Sequence, residues 1–305
     1  MRTNALLLPA VLAGPLLLVT ACDVPHADDR DTCAVRASPV PPAGAGGATG
    51  TGGGGDVEIT AVSAPPAHCP GPASFHVAFR VTNHSGEPLT YTVTFGLTTG
   101  AGEALGNVPH TVPAVPPGRT VRGEADLDAP PTPRYTAERV RVVKVRSVPA
   151  DEVPATGGAC PSSGLRLTAD DGNAAMGLRV VGLRLENCSS RVRRVEGYPL
   201  VRLLDEERRP VRGVEVSRGS GGVALLPGFD DAPRPVTLAP GRSATAALMW
   251  RNTVTDGTPV NAPYARVRAT PGVAPVTLTP EFDLGTTGKL GVSAWKPDET
   301  TPTRP

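Results

Sequence analysis

The side chains best suited to acid–base or nucleophilic chemistry are unevenly distributed along the 305-residue chain. The five histidines are His26, His68, His76, His84 and His110. The second half therefore has no histidine of its own that could activate a serine or cysteine nucleophile. Acidic residues cluster at Asp126 and Asp128, Asp170-Asp171, Asp205-Glu206-Glu207 and Asp230-Asp231. All of these acidic clusters lie in segments of turn composition, so we interpret them as surface turns and predict no catalytic residue.

A metal site would need several ligands at short, regular spacing. His76 lies on the polar side of an alternating segment and His84 in a turn-like segment, and no carboxylate stands beside them at a recognisable ligand spacing. No two cysteines are closer than eleven residues, which excludes a Cys-x₂-Cys site. The sequence predicts no metal and no cofactor.

The N-terminal segment has the composition of an export signal. Arg2 precedes an apolar run from Ala5 to Val19, which is shorter than the ~20 residues that a membrane-spanning helix needs. The sequence Val19-Thr20-Ala21-Cys22 resembles the lipobox of bacterial lipoproteins, whose cysteine receives a diacylglyceryl group and becomes the mature N-terminus. The resemblance implies lipidation of Cys22. Two acyl chains, at ~0.8 kcal/mol per buried CH₂, would anchor the protein stably to a membrane.

The chain has five cysteines. If Cys22 carries a lipid, the remaining four form an even set in an exported protein, where disulfides form readily. Four cysteines allow three connectivities. We expect the pairs Cys33–Cys69 and Cys160–Cys188, because each pair closes a loop within one proposed domain or its leading tether.

Composition divides the chain into five segments. Residues 1–21 form the predicted signal peptide, and residues 22–55 are rich in glycine, proline and alanine, which is typical of a flexible tether. We predict an N-terminal domain over residues 56–150 and a C-terminal domain over residues 158–290. Residues 291–305 have the composition of a disordered tail.

Both large segments show the two-residue alternation of half-buried strands. In the first, the apolar positions are Phe75, Val77, Phe79 and Val81, then Tyr91, Val93, Phe95 and Leu97. The turn-like residues 83–88 between them predict a hairpin or a sandwich corner. In the second, a phase slip at Val180-Val181 indicates a β-bulge. No segment of comparable length shows a helical period, so the predicted fold is all-β.

The two segments also share a turn. Pro117-Gly118-Arg119-Thr120 in the first and Pro240-Gly241-Arg242-Ser243 in the second each precede an alternating strand. This likeness favours two related domains. We therefore predict two immunoglobulin-like β-sandwich domains in tandem after the tether.

The second segment carries short motifs in a recognisable order. They are Cys160, Glu186-Asn187-Cys188, Gly197-Tyr198-Pro199, Leu203-Leu204-Asp205, Leu238-Ala239-Pro240-Gly241 and Trp250. Over roughly residues 160–270 this set resembles a domain of unknown function (DUF4232) common in secreted lipoproteins of actinobacteria. The resemblance implies a β-sandwich in which Cys160 and Cys188 are paired. It implies no activity, because none is assigned to the family.

Two groups of basic residues stand out against a net charge of only +1. They are Arg139, Arg141, Lys144 and Arg146 on one alternating segment, and Arg191, Arg193 and Arg194 just after Cys188. One interpretation is a solvated strand face and a charged turn. The other is contact with an anionic envelope polymer or with lipid headgroups. The balanced charge and the few flanking aromatic residues argue against nucleic acid as a partner.

Three classes of function agree with these features: a non-catalytic cell-envelope module that binds a protein or polymer, an extracytoplasmic carrier of a small ligand, and a hydrolase. We favour the first, at the extracytoplasmic face of the cell membrane, because tethered domains on a lipid anchor suit display at a distance from the membrane. A carrier would need a sizeable apolar pocket with converging polar groups. A hydrolase would need clustered titratable groups, with His76 and His84 the first place to look.

Overall fold

The computed structural model of the protein describes residues 55–63, 74–99, 101–128, 139–155 and 157–299. Within these ranges the chain forms twenty strands and no helix, so the all-β prediction is confirmed. It follows that no helix of the described residues could cross a membrane. The predicted signal peptide, Cys22, nearly all of the tether and the predicted Cys33–Cys69 pair lie outside the described residues.

The first half contains six antiparallel strands in two sheets. They are β1 (Val57–Ser63), β2 (Ser74–Thr82), β3 (Leu89–Thr98), β4 (Ala104–Val115), β5 (Thr120–Asp128) and β6 (Arg139–Pro149). One sheet has the order β1-β2-β5 and the other the order β4-β3-β6. Because β2 and β3 are consecutive in sequence but lie in different sheets, residues 83–88 form a corner and not a hairpin.

The alternation of β2 and β3 positions the first core. The apolar residues of both strands that the sequence singled out are all buried and form one cluster. The rings of Phe79 and Phe95 meet edge to face, with centroids 5.1 Å apart. The two sheets therefore pack face to face on a shared core.

The second half contains fourteen strands. They are β7 (Leu165–Ala169), β8 (Asn173–Ala175), β9 (Leu178–Asn187), β10 (Arg193–Val195), β11 (Leu200–Leu204), β12 (Glu215–Arg218), β13 (Val236–Leu238), β14 (Ser243–Arg251), β15 (Asn261–Ala262), β16 (Tyr264–Arg268), β17 (Val276–Leu278), β18 (Phe282–Asp283), β19 (Lys289–Val292) and β20 (Lys296–Pro297). The main sheet has the order β12-β19-β14-β9-β7, with β8 paired to β9 and β20 to β14. Strand β12 runs parallel to β19.

The remaining strands of the second half form smaller sheets, β11-β16-β17, β10-β13 and β15-β18. A second core lies between the main sheet and these strands, and it is separate from the first. Trp250 of the main sheet packs against Phe282 of β18, with ring centroids 4.7 Å apart.

An asparagine at the end of β2 organises one end of the first half. Asn83 is fully buried, and its amide donates to the carbonyls of Glu87 and Val115, both at 2.8 Å. Its Oδ1 accepts the N–H of Ser85 at 2.8 Å, and its carbonyl accepts the N–H of Gly118 at 2.8 Å. The side chain thereby joins the corner after β2 to the turn between β4 and β5.

Asn187, at the end of β9, repeats these bonds in the second half. It is fully buried, and its amide donates to the carbonyls of Arg191 at 2.8 Å and Leu238 at 2.7 Å. Its Oδ1 accepts the N–H of Ser189 at 3.1 Å, and its carbonyl accepts that of Gly241 at 2.8 Å. The similar turns that the sequence showed are thus bonded in the same way, and the strand orders β1-β2-β5 and β7-β9-β14 correspond.

The predicted boundary at residue 290 is wrong. Strand β19 continues to Val292 and β20 follows. Trp295 is buried, and its Nε1 donates to the carbonyl of Ala269 at 2.9 Å. The proline and acidic residues of this segment suggested a tail. The segment is instead ordered, because its backbone pairs with β14 and the Trp295 indole is buried. Of the predicted tail, only residues 300–305 lie outside the described part.

The predicted bulge at Val180-Val181 is also wrong, because β9 pairs with β14 without a register shift from Leu178 to Glu186. Val181 faces the core, while Val180 lies opposite Met249 on the other face of the sheet. Met249 is fully buried. Both faces of the sheet are therefore covered at this end, and consecutive apolar residues need no bulge.

Candidate functional site

A cleft of about 1180 Å³ lies on the outer face of the main sheet in the second half. Leu183 and Ala246 point into the core, so the alternate positions of their strands face outward. The strand register aligns Thr168, Arg184, Thr245 and Lys296 across β7, β9, β14 and β20. This row forms the floor of the cleft.

One wall of the cleft is formed by Asp170. Its Oδ1 accepts the N–H groups of Gly172 and Gly182 at 2.9 Å and 2.8 Å. A β-carbon on residue 182 would overlap the Asp170 carboxylate. Glycine at this position therefore allows Asp170 to fold over the sheet and also keeps the floor open.

The opposite wall is formed by the C-terminal segment. The carboxylate of Asp298 is buried and pairs with Arg184, while Lys296 Nζ lies 2.8 Å from Asp231 Oδ2 and donates to the carbonyl of Gly228. The rim thus presents acidic and basic groups together. Such an arrangement is suited to hydrogen bonding and ion pairing with a polar ligand that carries both charges.

The basic residues of β6 follow one face of the strand because of a bulge. The register of β6 against β3 shifts so that Thr94 pairs with Lys144 and Phe95 with Val142, which leaves Val143 as the extra residue. A side chain on Gly96 would collide with Val143. The bulge places Lys144 and Arg146 on the same outer face as Arg139 and Arg141, and the last two are exposed.

Lys144 and Arg146 contact the second half of the chain. Lys144 Nζ lies 2.7 Å from Glu281 Oε1, and Arg146 pairs with Glu281 at 2.8 Å and with Glu206 at 3.1 Å. The Arg146 guanidinium lies over the Tyr264 ring, 5.8 Å from its centroid. Only 7% of the Arg146 side chain is exposed, so its charge is used inside the protein and is not accessible to an external polymer.

The two acids at this junction have pKa values shifted in opposite directions. Burial raises the pKa of Glu206, although Arg146 opposes the shift. Burial would also raise the pKa of Glu281, but hydrogen bonds from Lys144 and Arg146 outweigh it and lower the pKa. Ionised Glu281 is therefore the main acceptor at the junction.

The segment that connects the halves is fixed to the second half through Glu152. Its carboxylate is 8% exposed and accepts hydrogen bonds from Arg266, at 3.0 Å and 2.9 Å from Nε, and from Thr277 Oγ1 at 2.6 Å. The Glu152 carbonyl accepts the N–H of Thr277 at 2.8 Å. Val148 and Tyr264 share a small apolar cluster beside it.

The second predicted basic group borders the disulfide. The pair Cys160–Cys188 is confirmed, with Cα atoms 5.6 Å apart. Arg191 and Arg194 are exposed and Arg193 is half-buried. Contact of these arginines with an anionic surface stays a prediction.

The two histidines considered for a metal or hydrolase site do not meet. His76 Nδ1 lies 2.9 Å from Asp126, whereas His84 Nε2 lies 3.8 Å from Asp56. Six residues of β2 separate His76 from the end of the strand at Thr82, which is roughly 20 Å at 3.3 Å per residue, and His84 lies beyond it in the corner. No group of three metal-ligating side chains occurs within the described residues.

The comparisons with known proteins concern the half that contains the cleft. Residues 160–296 match the family model of a domain of unknown function (DUF4232). The match confirms the predicted domain of unknown function in the C-terminal half and extends it from about residue 270 to residue 296. No curated protein and no solved structure matches the chain significantly.

Sequence reasoning missed the residues that line the cleft. Asp170 and Asp231 were interpreted as turn residues, and Arg184, Lys296 and Asp298 were not singled out. Their proximity depends on the order of β7, β9, β14 and β20, which no local pattern encodes. One signal was present, because an isolated glycine such as Gly182 inside a strand often marks a close approach.

Proposed function

We propose that the protein is a non-catalytic, lipid-anchored module of the extracytoplasmic membrane face, and that it binds a segment of a partner protein or envelope polymer in the cleft of its second half. The observation that carries this proposal is the cleft itself. It lies in the part of the chain that matches the family, and it crosses four strands as an open trough. Its walls contain paired acids and bases, with Arg234 exposed at the rim.

An open trough suits an extended segment that enters and leaves it. A small-ligand site typically encloses 70–90% of its ligand, whereas the row from Thr168 to Lys296 has no fully buried residue. Paired charges contribute specificity more than affinity. A partner segment with alternating acidic and basic or hydroxyl groups fits these walls.

A carrier of a small polar ligand is the second candidate. The volume of about 1180 Å³ is large enough to admit such a ligand, because ligand pockets have volumes of about 300–1,000 Å³. The binding module and the carrier can be distinguished by the mass of the molecule that occupies the cleft.

A photo-crosslinking residue at position 234 tests the cleft in cells that make the protein naturally. The blocking variant is Thr245→Lys, which places a long side chain on the floor. Thr237→Lys, on an exposed position of β13, is the matched control. We expect a crosslinked adduct that disappears with Thr245→Lys and persists with Thr237→Lys, and its mass separates a macromolecule from a small ligand. An adduct unaffected by Thr245→Lys contradicts the proposal.

The membrane anchor is tested separately. We expect mass spectrometry of the intact protein from its native membrane to show a diacylglyceryl group on Cys22, absent from Cys22→Ala. An unmodified Cys22 in the wild-type protein rules out the anchor but leaves the cleft experiment valid.

We further propose that the two halves are related immunoglobulin-like β-sandwiches in tandem. The shared asparagine bonds, the matching strand order and the separate cores support this architecture. Fold alone assigns no activity to either half.

A further inference from the structure

Three segments of the second half meet around Arg251: the tip of the β8–β9 hairpin in residues 172–178, residues 219–229, which continue to Gly228 beside Lys296, and residues 252–255. Arg251 connects two of them, because its Nε donates to the carbonyl of Val223 at 3.0 Å and its Nη1 to that of Met176 at 3.3 Å. The Asn252 N–H donates to the Gly177 carbonyl at 3.0 Å. We call this group of loops the apolar tip.

Each loop of the apolar tip exposes one large aliphatic side chain. Met176 is 98% exposed, Leu225 93% and Val254 61%. None of the three segments contains a charged residue or a histidine. Met176 and Leu225 keep nearly all of their contact with water on folding, so burial in the fold does not explain why they are present.

The backbone at Met176 adds a second observation. Met176 and Gly177 form the two-residue turn of the β8–β9 hairpin, and the φ of Met176 is +48°. Such turns require a positive φ at both residues, which glycine and asparagine favour and other residues adopt at a cost. Strained conformations that present a particular side chain are concentrated at functional sites. A methionine in this conformation, with its side chain in solvent, indicates that the side chain contacts another molecule.

We propose that the apolar tip inserts into the surface of a lipid bilayer. Met176, Leu225 and Val254 project separately from three loops, so each can enter a fluid without a complementary surface. Interfacial binding of this kind scales with the apolar area that enters the membrane. The inference goes beyond the binding function of the cleft and does not depend on the lipid of Cys22.

The area of the apolar tip argues against a protein partner or a second copy of the chain. Three aliphatic side chains cover only a few hundred Å², well below the ~800 Å² per partner of a stable interface. Hot spots of protein interfaces also sit in packed pockets rimmed by other residues, which these protruding side chains lack.

The charges at the base of the apolar tip balance. Each uncharged segment is bordered by one arginine and one aspartate, namely Arg179 and Asp171, Arg218 and Asp230, and Arg251 and Asp256. Apolar burial must therefore supply most of the attraction. We expect similar binding to anionic and zwitterionic bilayers and little dependence on salt.

Sedimentation with phospholipid vesicles tests the inference on residues 23–305, which contain every described strand and carry no lipid when made without the signal peptide. The test variant combines Met176→Ser, Leu225→Ser and Val254→Ser. The matched control combines Val192→Ser, Leu200→Ser and Val216→Ser, which are exposed apolar residues elsewhere on the same half. Circular dichroism and the Cys160–Cys188 bond verify that each variant folds.

We expect the test variant to bind phosphatidylcholine vesicles about tenfold or more weakly than the parent, and the control to bind like the parent. A Leu225→Trp variant should show a blue shift of its emission with vesicles. Failure of the parent to bind, equal losses in the two triple variants, or binding restricted to phosphatidylglycerol vesicles and abolished by salt would each overturn the inference. Because this protein lacks the acyl group, the result is independent of the mass analysis of Cys22.

Discussion

The side chains of Asn83 and Asn187 each donate hydrogen bonds to two backbone carbonyls and accept one from a backbone N–H. Without the asparagine, these backbone groups would lose their hydrogen-bond partner. A buried polar group left unpaired costs about 1–3 kcal/mol. We expect Asn187→Ala to lower the free energy of unfolding of the second half by about 2–4 kcal/mol, measured by urea denaturation. Ser189→Ala, which loses more exposed bonds, should cost less than about 1 kcal/mol. A loss for Asn187→Ala no larger than that of Ser189→Ala would show that the asparagine bonds are not required.

Tyr91 makes the stability of the first half depend on alkaline pH. Its side chain is 1% exposed, and burial, followed by the Asp56 charge, raises its pKa from 10.0 to about 12. A raised pKa means that the unfolded chain loses its proton first. The stabilisation is therefore complete below pH 10 and declines as the pH rises towards 12.

The corresponding prediction concerns Tyr91→Phe, which removes the titrating group. We expect the unfolding free energy of this variant to fall less between pH 9.5 and pH 11.5 than that of the wild type. Tyr198→Phe, on a partly exposed ring, is the control and should keep the wild-type slope. Equal slopes for Tyr91→Phe and the wild type would contradict the assignment.

At the scale of secondary structure, the alternation of apolar and polar residues predicted where strands lie but not which strands pair with each other. The period of two at Phe75–Val81 and Tyr91–Leu97 identified β2 and β3, because burial of one face is a local property of the sequence. The bulge at Val143 escaped notice although the basic residues change phase there. It is defined by the register of β6 against β3, which depends on residues some fifty positions away.

The same difference explains which parts of the candidate site were predictable. The Cys160–Cys188 pair was predicted because it closes a loop within one domain, and the family resemblance implied the same pair. The cleft required knowing that β20 adds to β14 beside β9 and β7, which places residues 168 and 296 in one row across four strands. The C-terminal segment was misassigned because proline and acidic residues dominate its composition, whereas one tryptophan and two backbone pairs determine its structure.

The disulfide connects the start of the second half to the end of β9. It joins residues separated by 28 positions, and the loop-closure entropy of such a link is about 3–4 kcal/mol. We expect the double variant Cys160→Ser, Cys188→Ser to lose about that much unfolding free energy, measured by urea denaturation, with the Asn187 bonds still forming. If the loss is near zero, the entropic account of this bond fails.

For the whole molecule, we expect the junction of Lys144, Arg146, Glu206 and Glu281, together with the Glu152 contacts, to hold the two halves as one body. Removing the charge of Glu281 leaves the buried Arg146 with one acidic partner, which we estimate to cost about 2 kcal/mol. We expect Glu281→Gln to increase the radius of gyration measured by small-angle X-ray scattering. Glu207→Gln is the matched control, because among the described residues Glu207 pairs only with the exposed Arg209, and it should leave the radius unchanged.

Acid should have the same effect on the wild type, and the direction follows from the lowered pKa of Glu281. The unfolded or separated state takes up the proton at the ordinary pKa near 4.5, whereas the docked state resists it. The contribution of Glu281 is therefore complete above pH 4.5 and is lost as the pH falls through the lowered pKa. Glu206 has the opposite effect on stability because its pKa is raised, so it binds a proton more readily in the docked state.

Scattering between pH 7 and pH 3 should show the wild type expanding only below pH 4.5, while Glu281→Gln is already expanded at pH 7. A wild-type radius that stays constant over this range would show that Glu281 does not control the junction.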